Sequence, residues 1–170
     1  MINHKGKTEL LDRWKMTLFH KEEETEKELT LYNYLGLGLD AKICKDFHEI
    51  REKYPQLFFS QFSNKLIYTQ MGAVDLFSNS KLTLKEQVSV KVNGRELNLD
   101  EIENVIFLNI MHWGGGVTDL WENKEHNYKS QSYSDGLLEV IGLSDIVHMG
   151  QVQVGMDSPF ILGQGSEIVI

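Results

Sequence analysis

Around position 40 the chain switches from strand-like to helix-like patterning within one or two residues, and that junction limits the possible folds more than any other stretch. Residues 29–39 read as a strand ending in Gly36-Leu37-Gly38. From 41 to 54, Ile43, Phe47, Ile50 and Tyr54 recur at i, i+4, i+7 and i+11, which puts them on one face of a helix. Asp40 stands where an N-cap would, and Pro55 lies just past the last turn. A strand feeding straight into an amphipathic helix requires a sheet with that helix laid on it.

The rest of the chain adds more strand signals than helix signals. Residues 10–19 read as a strand, and the charge run KEEETEKE at 21–28 as a solvated loop. A second helix is expected over 62–77, where Phe62, Leu66, Ile67, Met71, Val74 and Phe77 form an apolar stripe. Val88, Val90 and Val92 then alternate with polar residues up to Asn93-Gly94, a hairpin turn signal because both central positions of a type I′ turn need positive φ. Residues 105–111 read as a buried strand and 137–143 as another. The stretch 113–134, rich in Gly, Asn, Ser and charge, is expected to be a long loop, and loops of that length within a compact domain often carry function. A short helical turn at 145–149 and strands at 152–154 and 168–170 complete the pattern. The expected class is α+β: a β-rich sheet or sandwich with two helices near the N-terminal third.

At 170 residues the chain fits one domain, and folding would bury about 70% of the unfolded surface. A net charge of −8 argues against nucleic acid as a partner, since affinity there comes from Lys and Arg neutralising phosphates. It argues equally against charge-driven docking on an anionic membrane, where each basic residue contributes about 1 kcal/mol. Cys44 is the only cysteine, so no internal disulfide can form, and a reducing compartment is expected. The longest uninterrupted apolar run, 105–108, falls far short of the ~20 residues of a membrane helix, and the amino terminus lacks a signal-peptide core. The expectation is an intracellular protein that does not cross a membrane.

Several residues could carry chemistry. Asp40 can cap the helix, worth ~1 kcal/mol, while its other oxygen faces a ligand. Gly114-Gly115-Gly116 could bring backbone amides to a phosphate, but no helix signal follows, and a turn is the favoured reading. GxxxxGK[ST] and GxGxxG are both absent. Asp135-Gly136 reads as a turn dipeptide or as a carboxylate at a strand edge able to accept a hydroxyl proton. Cys44 and His48 share a helix face without an identifiable third partner, so they read as packing and surface residues rather than a nucleophile and base. No histidine spacing suggests zinc, and no metal-binding residues are expected.

Taken in order, a larger set of residues resembles one family. It runs Leu11-Asp12-Arg13-Trp14, Asn33-Tyr34, Gly38-Leu39-Asp40-Ala41, Phe47-His48, Arg51-Glu52, Pro55, Phe58, Ser60, Phe62, Asn64-Lys65 and Tyr68. It continues with Asn93-Gly94, the FLNI of 107–110, Gly115-Gly116, Leu120-Trp121, the SDGLLEVIGL of 134–143 and Met149-Gly150-Gln151. This ordered set, covering roughly 10–154, is similar to the accessory domain of eukaryotic-type diacylglycerol kinases, the second domain of the lipid-kinase fold.

The resemblance implies ATP-dependent, magnesium-dependent phosphoryl transfer to the hydroxyl of diacylglycerol, giving phosphatidic acid for lipid signalling. The glycine-rich GGDGT nucleotide motif of such kinases is missing here, so ATP and Mg2+ are expected to be held mainly by a catalytic domain that this sequence lacks. That domain and diacylglycerol at a membrane surface are the implied partners, for a cytoplasmic enzyme associated peripherally with membranes. Residues 1–28 would be the end of the catalytic module and a linker, and 29–170 the accessory domain, truncated at its C-terminus. Carried over residue by residue, Asp135 becomes the expected catalytic carboxylate near the acceptor hydroxyl. Asp40, Gly115 and Gly116 become expected substrate-binding positions. The fragment alone would be inactive; the competing reading is a non-catalytic lipid- or partner-binding module that keeps the accessory fold.

Overall fold

The computed structural model describes residues 8–20, 23–60, 84–114, 116–121 and 128–170. Its first element is a hairpin of β1 (Trp14–His20) and β2 (Thr25–Leu31), antiparallel, with Trp14 opposite Leu31 and His20 opposite Thr25. The charge run is therefore not the expected loop: Thr25 to Glu28 belongs to a strand. Side chains of successive strand residues point to opposite faces, and both faces are largely exposed here, so the glutamates stay solvated without leaving the ladder. Glu28 also pairs with Lys15 across the hairpin. The strand expected over 29–39 is broken as well, because the chain bends at Tyr32-Asn33 before β3 (Tyr34–Gly38).

Helix α1 (Leu39–Lys53) follows β3 without a loop. A helix leaves its first four N–H groups without intrahelical partners, and here Glu103 and Asn104 supply two acceptors. Leu39 N–H donates to the Glu103 carbonyl at 3.2 Å, and Asp40 N–H donates to Asn104 Oδ1 at 3.3 Å. Gly38 occupies the N-cap position, and the cap is made without its side chain. The expectation that Asp40 is the N-cap is thus corrected. Asp40 lies inside the first turn, where its charge still complements the helix dipole. Gly38 is required at the junction: its φ is +101°, and a Cβ there would collide with the Glu103 carbonyl.

After a single 3-10 turn at Pro55–Leu57 come the undescribed residues 61–83, and the helix expected over 62–77 lies outside the described residues. The chain continues through α2 (Leu84–Gln87), β4 (Lys91–Val92), β5 (Arg95–Glu96), β6 (Asn104–Leu108), β7 (Leu138–Leu143), α3 (Ile146–Gln153), β8 (Phe160–Gly165) and β9 (Ile168–Val169). Asn93 and Gly94, with φ of 47° and 77°, make the β4–β5 hairpin turn as expected. Strands β3, β6, β7 and β8 form an antiparallel sheet in that spatial order, and β5, β4 and β9 form a smaller one. The α+β class is as anticipated.

The four-stranded sheet is covered on both faces, which explains why β6 and β7 read as continuous apolar runs. Ile106, Leu108, Ile141 and Leu143 pack with Leu39 and Ile43 of α1, Met149 and Val152 of α3, and Trp113, Leu120 and Trp121. Val105, Phe107, Leu138 and Val140 point the other way, toward Leu84, Val90, Val92, Leu99 and Ile102. Two expectations in this part of the chain give way. Val152 and Gln153 end α3 rather than start a strand, because Val152 is buried in the core on the helix side. Strand β8 was not anticipated, since FILGQG carries two glycines and glycine is depleted in strands. Those glycines make room for the smaller sheet, as a Cβ on Gly165 would lie 2.5 Å from Val92 Cγ1.

Candidate functional site

The helix-covered face of the main sheet carries the polar groups that the packing cannot hide. Asp40 is 4% exposed, and its carboxylate lies over Gly36 of β3: a Cβ on that glycine would meet Asp40 Oδ2 at 2.6 Å. Cys44, one turn along α1, places its thiol 4.0 Å from Asp40 Oδ1. Cys44 is exposed, and His48, one turn further along, faces Glu52 at 3.3 Å. Tyr34 stands two residues before Gly36 on the same face. Burial raises its pKa first, then the negative charges of Asp40 and Cys44, against a hydrogen bond from the Gly114 backbone amide.

That last bond draws the glycine segment into the same neighbourhood. Trp113 and Val117 exchange backbone hydrogen bonds of 3.1 and 2.9 Å around a tight turn. Gly114 takes a φ of 58° and packs against Gln153 of α3, while Gly116 is exposed with a φ of 117°. Gly115 lies outside the described residues. Tyr34 therefore links Asp40 to the base of the glycine turn.

Asp135 lies elsewhere. Strand β3 runs in the same direction as β7, since both are antiparallel to β6. Asp40 follows the end of β3 and Asp135 precedes the start of β7, so the two sit toward opposite ends of the sheet. Asp135 Oδ1 accepts the Leu137 N–H at 3.1 Å, the bond of an Asx turn. The Gly136 N–H donates to Asp12 Oδ2 at 2.6 Å, and the Asp12 N–H donates to the Tyr133 carbonyl at 2.8 Å. Asp12 is itself fixed by Asn109, whose Nδ2 donates to the Asp12 and Tyr32 carbonyls while its Oδ1 accepts Trp14 Nε1–H at 2.8 Å. A fully buried asparagine thus ties the amino-terminal segment to the turn that carries Asp135.

The polar residue that the sequence pattern did not single out is Glu139, the second residue of β7 and 0% exposed. Burial lifts its carboxyl from an ordinary 4.5 to about 7; the hydrogen bond from Gln164 and the nearby Gln131 amide oppose the rise, and the charge of Asp135 adds to it. Glu139 Oε1 accepts Gln164 Nε2–H at 3.0 Å, whereas Oε2 is buried without a hydrogen-bond partner. The signal was a lone charged residue inside the apolar run 137–143. Asn104 Nδ2 and Trp113 Nε1 are likewise buried and unpartnered. Among the described residues no three His, Cys, Asp or Glu side chains gather in one place.

Fold and site together define an α+β domain in which carboxyl groups lie on or beside the covered face of an antiparallel sheet. Residues 30–170 match the sequence profile of the diacylglycerol kinase accessory domain, and the chain belongs to that family. It is 39% identical over 168 residues to diacylglycerol kinase theta of Mus musculus, covering 92% of this chain and 18% of that protein. With diacylglycerol kinase 1 of Arabidopsis thaliana it shares 35% identity over 174 residues, covering 99% of this chain and 24% of that protein. Diacylglycerol kinase 2 of the same plant is 39% identical over 179 residues, covering 99% and 25%. The chain spans about a fifth to a quarter of the length of these relatives. No solved structure matches it significantly.

Proposed function

We propose that the chain is the accessory-domain part of an ATP-dependent diacylglycerol kinase, with residues 29–170 as the accessory domain and 1–28 leading into it from the catalytic module. The observation that carries this reading is the family match over 30–170 together with the kinase names of its relatives. The reaction moves the γ-phosphoryl group of ATP to the free hydroxyl of diacylglycerol, giving phosphatidic acid and ADP. Such transfer depends on positioning and charge neutralisation, with a base near the attacking hydroxyl. ATP and magnesium are assigned to the catalytic module, and no step here passes through a metal held by this chain. The lipid is met at a membrane surface in this reading, and no helix among the described residues is long and apolar enough to cross a membrane.

Asp135 is assigned as the carboxylate beside the acceptor hydroxyl, and Asp40, Gly115 and Gly116 as positions lining the substrate cleft. Asp135→Asn in the full-length enzyme is the test. The asparagine oxygen can still accept the Leu137 N–H, so the turn survives while the base is lost. Turnover should fall by about 10²- to 10⁴-fold with an unchanged unfolding midpoint. Unchanged turnover removes Asp135 from the mechanism. A full-length protein that folds yet phosphorylates no diacylglycerol would instead support a non-catalytic lipid- or partner-binding role.

A further inference from the structure

The 128–137 loop is held to the sheet by a short polar chain that ends in the buried carboxyl of β7. Gln164 of β8 grips the loop backbone with both ends of its amide. Its Oε1 accepts the Lys129 N–H at 3.0 Å, and its Nε2 donates to the Lys129 carbonyl at 3.2 Å. The same Nε2 donates to Glu139 Oε1 at 3.0 Å, so the orientation of the clasp depends on Glu139. Trp121 Nε1 adds a bond to the Lys129 carbonyl at 3.0 Å, and Gln131 Nε2 binds the Ile110 carbonyl at 3.2 Å. The other end of this loop is the Asp135-Gly136 turn.

Of the four side chains in this hydrogen-bonded set, Gln164, Trp121, Gln131 and Glu139, the last can change charge. The groups acting on it are Gln164 from β8, Gln131 from the loop and the carboxylate of Asp135; Leu108 of β6 stands opposite it in register. None of these is cationic. An ionised Glu139 would be a buried carboxylate with one oxygen unpartnered, and burying an unpaired charge is far costlier than burying a neutral carboxyl. Letting water in relieves that cost, and the loop lies over the carboxyl.

We propose that Glu139 is a proton-dependent latch: neutral, it lets Gln164 fasten the 128–137 loop to the sheet and so positions Asp135; ionised, it releases the loop. Glu139 is a positioning residue in this scheme and does not touch the substrate. The consequence for catalysis rests on the proposed kinase reading, whereas the latch itself does not.

The test uses the full-length protein, comparing wild type, Glu139→Gln and Gln164→Ala. Amide hydrogen exchange at Lys129 and Leu137, corrected for the intrinsic pH dependence, reads the latch directly. Wild-type protection should fall about tenfold between pH 5 and 6 and level off above about pH 7, as expected for a group that titrates near 7 when latched and near 4.5 when released. Glu139→Gln keeps the shape and the acceptor but cannot ionise, so its protection should stay constant over that range. Gln164→Ala removes the clasp and should lower protection of Lys129 at every pH. Diacylglycerol phosphorylation in the wild type should fall relative to Glu139→Gln over the same pH window. A loss of protection that persists in Glu139→Gln, or none in the wild type, overturns the latch. If no diacylglycerol is phosphorylated, the kinase reading falls while the exchange result still decides the latch.

Discussion

Glu139 and Asp40 show how far a single residue could be read ahead of the fold. Asp40 was visible because it stands at a strand–helix junction, but its capping role passes to Asn104 and the Glu103 carbonyl, 64 residues along in the case of Asn104. No local pattern records that contact. Glu139 was legible only as an oddity in an apolar run, because its cost depends on which elements cover both faces of β7. That cost has a pH signature. Its folded pKa, about 7, lies above the ordinary 4.5, so the folded state holds the proton more tightly than the unfolded state. The stabilising contribution is complete below about pH 4.5 and is lost as pH rises to about 7. A shift of that size is worth roughly 3 kcal/mol at about 1.36 kcal/mol per pH unit. Urea unfolding from pH 4.5 to 8 should therefore show wild-type stability falling relative to Glu139→Gln by about that amount. Parallel pH profiles would mean that Glu139 does not titrate with the assigned shift.

At the level of elements, strong local signals held and weak ones were overruled by packing. Helix α1, the Asn93-Gly94 turn and the buried strand β6 were readable because periodicity or turn chemistry specified each within a few residues. Strand β2 was hidden by its charge, and β8 by glycines whose purpose is to admit Val92 from the neighbouring sheet. Helix α3 was foreseen as one turn at 145–149 but extends to Gln153. The β-branched alternation at 152–154 mimics a strand, and burial of Val152 against the helix-side core decides for the helix. Its start is secured by Asp145, whose Oδ1 accepts the Val147 and His148 N–H groups at 2.7 and 2.8 Å. Asp145→Ala should cost about 1–2 kcal/mol and lower the thermal midpoint by about 3–6 °C, with Asp145→Asn close to wild type. Equal losses in both variants would point to the charge rather than the cap.

For the whole molecule the governing fact is a sheet buried on both faces, and it decides how the protein should unfold. Val140 and Ile141 are adjacent in β7 and both 0% exposed, yet they serve different cores. Ile141 packs with α1 and α3, and Val140 with α2 and the strands of the smaller sheet. Because β6 and β7 supply side chains to both cores through the same backbone ladder, neither core can open without loosening the other. Ile141→Ala should cost about 2–5 kcal/mol, and Val140→Ala somewhat less, through lost burial and the cavity left behind. Both variants should shift one cooperative transition, seen as coincident far-UV and near-UV circular dichroism curves. Two separate transitions in either variant would show that the cores are independent units. In that case the Asp40–Tyr34 group on the α1 face could loosen without disturbing the small sheet behind it. Coincident curves instead tie Asp40, Trp113 and Glu139 to one folding unit.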